Sequence, residues 1–210
     1  MSTPNNPAGR LHLILQRAQS LGDKLTESSI KVWPQVLLCA DDTPRDVLFA
    51  RIARVQELPH IVSVQIHKVP DLEAIDDHVC WVADLTKSLR RNNFDEAMQN
   101  FINGATEGNM AWIRLCDRVL QKHFPEPTLT KQELAALRNA AQQLVSEINQ
   151  SSLDEQLKEY MLYHLDLVGR AIDDYRVVGV ESFVRTTESI IGLPVQVLRH
   201  AKAALRTEVA

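Results

Sequence analysis

Two capping signatures, Thr130-x-x-Glu133 and Ser152-x-x-Glu155, each followed by an apolar stripe, restrict this chain more than any other feature. In such a box a hydroxyl accepts from the backbone N–H three residues on, while the glutamate reaches back to the first residue's own N–H. Each box therefore marks a helix start. The first stripe is Leu134, Leu137, Ala141, Leu144 and Ile148; the second is Leu157, Met161, Leu165, Val168, Ile172 and Tyr175. Their mostly three- and four-residue spacing gathers each set on one helical face. The link "NQSS" is so short that the two helices must be antiparallel neighbours, an αα-hairpin. Gly179 is expected to stop the second helix. A short helix over 180–191 follows, closed by Gly192 with Pro194 just beyond, and a last helix runs from about 195 to 207.

Upstream, "FPEPTLT" at 124–130 carries two prolines and two threonines and is the clearest boundary in the chain. Residues 1–9 read as a flexible tail. Leu11, Ile14, Leu15, Ala18 and Leu21 predict a helix over about 9–21. A second helix is expected over 28–39, with Pro34 tolerated in its first turn if Lys31 or Val32 begins it. Thr43 as N-cap and Pro44 at the first helical position open a third. Its buried stripe is Val47 or Leu48, then Ile52, Val55 and Leu58 or Pro59. "HIVSVQIHKV" (60–69) is rich in β-branched residues yet also fits a helix. A lone strand would have no partner here, so helix is the reading taken. Further helices are expected over 71–91, over "FDEAMQNFI" and over "EGNMAWIRLCDRVLQKHF".

Composition agrees with a helical protein. Glycines number seven and aromatics make up 5%, too few for a turn-rich β fold. The formal net charge is −4, and residues 128–210 account for half of it, with nine Lys/Arg against eleven Asp/Glu. Neither part offers the basic field of a nucleic-acid binder. The cysteines, Cys39, Cys80 and Cys116, are odd in number and form no CxxC. Disulfides and zinc ribbons are thus not expected, and a reducing cytoplasm is. The start "MSTPNNPAGR" does not resemble a signal peptide, and no apolar run reaches membrane-spanning length.

No phosphate-binding, dinucleotide-binding, nucleophile-elbow or HExxH motif occurs. "GRAIDDYRVVG" (169–179) is the stretch that most resembles an acid/base site. On a helix, however, Asp173 and Asp174 diverge by roughly 100°. Arg170 and Arg176 stand within reach as ion-pair partners, which makes the carboxylates poor proton donors. The residues considered for catalysis are His164, Asp173 and Tyr175. For a metal they are His78 and Cys80 in "DDHVC", although three or four converging ligands would be needed. The only Glu-x-x-His, Glu57 with His60, holds Pro59 and does not make a di-iron site. The segment from Val195 to Arg206, with Arg199 and Lys202 beside its apolar face, is expected to dock on the protein's own bundle.

The fold read from these patterns is all-α: an N-terminal helical region, 10–124, and a C-terminal region, 128–210, made of the hairpin plus two helices. The two either pack as one compact domain or stand apart. The leading function is a cytoplasmic helical interaction or regulatory protein that acts on another protein or on itself, without cofactor or metal and without catalysis. The alternative is a small-ligand binder or enzyme with an inter-helix pocket near His164, Asp173 and Tyr175. The third is a nucleic-acid binder using a local basic surface at Arg90 and Arg91 or from Arg199 to Arg206.

Overall fold

The computed structural model describes residues 6–40 and 42–192, with side chains through 188, and its regular structure is helical. Among the described residues no strand forms; Ser28 and Ala97 make an isolated bridge. Among the described residues no helix is long and apolar enough to cross a membrane. The chain divides into two compact units, Met1–Thr128 with Arg176–Gly179, and Leu129–Tyr175 with Val180–Ala210. The division at Thr128 falls inside the Pro/Thr-rich boundary segment.

In the first unit, α1 (Pro7–Gln19) packs on α7 (Glu107–His123) and on α3 (Arg45–Ile66), while α3 also meets α5 (Val82–Leu89). The core includes Leu11, Leu15, Trp33, Ile52, Ile66, Trp81, Leu85, Phe101 and Ile113. Residues 6–9, expected to belong to a flexible tail, are ordered instead. Asn6 caps α1 by accepting from the Gly9 N–H at 2.9 Å, and Pro7, Ala8 and Gly9 are buried. Pro7 suits a first-turn position because the N–H it lacks would have had no helical partner.

Several local expectations give way to tertiary contacts. α2 (Ser29–Leu37) starts early enough to leave Pro34 in its interior rather than its first turn. Its first N–H groups find carbonyls outside the helix: Ser29 donates to Glu96 at 2.8 Å and Ile30 to Phe94 at 3.0 Å. With those carbonyls turned to α2, residues 94–96 form a turn and bend and Ala97 an isolated bridge, and only α6 (Met98–Ile102) remains of the helix expected over "FDEAMQNFI". Pro44 is the N-cap of α3 rather than its first residue, and Thr43 lies outside. α3 then continues to Ile66, burying Leu58, Val62 and Ile66, so most of "HIVSVQIHKV" is helix.

The single helix expected over 71–91 is broken into α4 (Ile75–Val79) and α5. The cause is the carbonyl of His78, which a continuous helix would offer to the N–H of Val82. Here it accepts from Trp81 Nε1 at 2.8 Å and from Cys116 Sγ at 3.2 Å. Gly104, in the loop before α7, lies against α5. A Cβ there would stand 2.7 Å from the Leu85 α-carbon, and the Gly104 N–H donates to Ser88 Oγ at 3.2 Å.

The second unit is built on α8 (Lys131–Gln150), α9 (Glu155–Val178) and α10 (Glu181–Gly192). The Thr130–Glu133 capping box forms in full. At the start of α9 the expected Ser152–Glu155 box is replaced by Asp154, whose carboxylate accepts from Gln156 N at 2.9 Å. A carboxylate is the stronger acceptor and sits at the positive end of the helix dipole. Arg138 of α8 meets Asp173 of α9, which fixes the two helices as antiparallel. Gly179 follows α9 at φ +75° and ends it. The helix expected over 195–207 lies outside the described residues.

Candidate functional site

α8 is the feature that asks for an explanation. Of its twenty residues only Ile148 is buried. Leu134, Ala141 and Val145 are half-buried, whereas Leu137 is 42% exposed and Leu144 47%. These leucines occupy alternate positions of a stripe spaced like a coiled-coil seam, where such residues normally insert into a facing helix. Helical geometry explains the division. α9 covers the line through Ala141 and Ile148, and Leu137 and Leu144 fall to one side of it. Arg138 and Gln142 fall to the other, roughly 120–160° around the axis from Leu144.

On that second side the hairpin forms a groove of about 410 Å³. Its apolar lining is Ala141 and Val145 from α8 with Leu162, Leu165 and Ile172 from α9. Two ion pairs border it, Arg138 with Asp173, and Arg170 with Asp166 at 2.7 Å. All four side chains are well exposed. The pairs therefore add about 0–1 kcal/mol each to stability and act mainly by leaving the groove electrically neutral. Asp173, expected to pair along its own helix with Arg176, also meets Arg138 across the hairpin.

The residues considered for catalysis do not converge. Tyr175 is fully buried, and its hydroxyl accepts from the Leu129 N–H at 2.6 Å. Asp173, two residues earlier, points roughly 200° away around α9. His164 lies eleven residues before Tyr175, about 16 Å along the axis. It is 7% exposed, edge-on to Tyr160 at 4.4 Å between ring centres, and both ring nitrogens are enclosed without a hydrogen-bond partner among the described residues. An interior histidine is ordinarily hydrogen-bonded; here the burial is present and, among the described residues, the partners are not.

The other candidates are also separate. His78 turns its Nδ1 to the Ala74 carbonyl at 2.9 Å and its ring edge to Trp112, while Cys80 caps α4 and is exposed. Among the described residues no three His, Cys, Asp or Glu side chains come together as metal ligands would. Arg90 ends α5, and Arg91 is paired with Glu96 at 2.8 Å, which removes half of that basic surface. The basic positions from Arg199 to Arg206 lie outside the described residues.

One histidine that the sequence did not single out stands in a cleft of the first unit. His12 of α1 has its Nε2 enclosed and unpartnered. Its pKa is lowered by burial first and then by Arg114, against the opposing pull of Asp117. Its only trace in the sequence is a polar residue between Leu11 and Leu13, a pattern shared by many helix-edge positions. Comparisons of the chain with protein-family models, curated proteins and solved structures returned no match.

Proposed function

We propose that the α8–α9 hairpin is a helix-docking surface and that the chain works as a protein-interaction or regulatory protein through it. The observation that carries this reading is the exposure of Leu137 and Leu144 at seam positions of a helix that buries only Ile148. Full burial of a leucine is worth about 1.5–3 kcal/mol, so covering what these two still expose supplies roughly 1 kcal/mol each. The flanking Ala136 and Ala140 let a partner helix approach closely. Recognition of this kind reads apolar anchors at helical spacing and needs no catalytic group.

The test is the double substitution Leu137→Asp with Leu144→Asp. If the leucines serve a partner, the melting temperature changes little, because both positions are already half open. Proteins that the native chain retains from its host extract, identified by mass spectrometry, are then lost. Retention of the same proteins by the double variant would refute the proposal. So would a large fall in melting temperature, which would show that the leucines serve the protein's own fold.

A further inference from the structure

The first unit holds a second kind of surface, independent of the hairpin. Between α1 and α7 lies a cleft of about 360 Å³, near the lower end of the range that takes small molecules. His12 and Gln16 line it from α1, one turn apart; Glu107, Met110, Ala111 and Arg114 line it from α7. Three features distinguish it from an ordinary seam between helices.

The first is the enclosed Nε2 of His12, which lacks a hydrogen-bond partner among the described residues. A buried polar atom in that state destabilises the fold unless something comes to meet it. The second is the protonation of the ring. Burial and the neighbouring Arg114 cation both disfavour the imidazolium, so at neutral pH His12 is an uncharged donor-acceptor. The third is the placement of charge. Glu107 and Arg114 sit two turns apart on α7, about 10 Å along the axis, and neither is ion-paired within the described residues. The cleft thus has a negative end, a positive end and a neutral polar middle, over a floor of Met110 and Ala111.

We propose that this cleft binds a small zwitterion, a free amino acid with an apolar side chain. Arg114 presents a fork that matches a carboxylate, and His12 adds a second donor when its ring turns to bring the enclosed Nε2 into the cleft. Glu107 faces the ammonium group, with the Gln16 amide oxygen as a further acceptor. Met110 and Ala111 receive the aliphatic side chain. A simple carboxylate would lie against Glu107 with no compensation, and a simple amine against Arg114. Only a molecule with both charges satisfies both ends.

The experiment is an NMR titration of the full chain with three probes: L-leucine, 4-methylpentanoate, which lacks the ammonium, and 3-methylbutylamine, which lacks the carboxylate. L-leucine should give saturable shifts at the His12 ring nitrogens and at the Ala111 and Arg114 amides by about 10 mM, and each half-ligand should bind at least roughly tenfold more weakly. Arg114→Gln should weaken L-leucine about tenfold or more without lowering the melting temperature. Glu107→Gln reads the other end separately: L-leucine should then bind no better than 4-methylpentanoate. No saturable shift with L-leucine would overturn the proposal, as would equal binding of a half-ligand. Unchanged affinity in both variants would do the same.

Discussion

Gly179→Ala is the substitution whose cost can be worked most closely from the structure. Gly179 sits at φ +75°, where an L side chain places its Cβ against the backbone; the intrinsic penalty is about 1–2 kcal/mol. Alanine also restricts the unfolded chain, which returns about 0.4–1 kcal/mol. Together they leave a net cost of about 1 kcal/mol, so the larger contribution is steric. A Cβ would stand 2.5 Å from Glu126 Oε2 and 2.6 Å from Arg10 Cζ. Arg10 and Glu126 form a two-point ion pair at 2.5 and 3.2 Å, with side chains only 4% and 19% exposed. Arg10 Nε is also held by the Val177 carbonyl at 3.1 Å. The pair has little room to retreat, and breaking an enclosed pair of this kind costs about 3–5 kcal/mol.

Gly179→Ala should therefore destabilise by about 3–5 kcal/mol, read as a shift of the urea midpoint at constant slope. The double-mutant cycle with Glu126→Ala isolates the cause. Once the carboxylate is gone and Arg10 can swing aside, the alanine should cost only about 1 kcal/mol. An equal cost in both backgrounds would show that the backbone angle, and not the ion pair, requires glycine.

Three further outcomes follow from side chains already placed. His164→Leu removes two enclosed, unpartnered ring nitrogens and should raise stability by about 1–3 kcal/mol in a thermal melt; a lower melting temperature would show that the ring nitrogens are satisfied. Alkylation at pH 8 should label exposed Cys80 first and half-buried Cys39 next. Cys116 should react only on unfolding, because burial pushes its thiol up to about 11 and only about a thousandth of it would ionise; labelling of Cys116 at the rate of Cys80 would refute this. The lowered pKa of His12 means that the unfolded chain binds the proton more readily than the folded one. Its contribution is complete above pH 6.5 and is lost as pH falls from there towards the folded value. His12→Gln should flatten the stability profile in that window, and an unchanged slope would count against the assignment.

The sequence by itself determined the elements whose signals act over a few residues. Thr130 and Glu133 are three apart and cap α8 as their spacing requires. Gly179 ends α9 because the left-handed turn there is a property of one residue. The apolar periods of α1 and α3 match their buried faces, since that period is set by helix geometry alone. The all-α class followed from the same local rules.

Tertiary structure decided whatever depends on a neighbour distant in sequence. α4 and α5 are separate because Trp81 and Cys116, the latter 38 residues away, occupy one carbonyl of the expected helix. Gly104 must be small because α5 passes against it, and nothing in "NGATEG" reveals that approach. Asp173 meets Arg138, 35 residues away, a partner that no helical spacing along α9 offers and only the hairpin supplies. The stripe on α8 gave Leu137, Leu144 and Ile148 equal standing. Only the position of α9 left the two leucines open and buried the isoleucine. Periodicity fixes which residues share a face, but whether that face is covered depends on packing, which no local signal encodes.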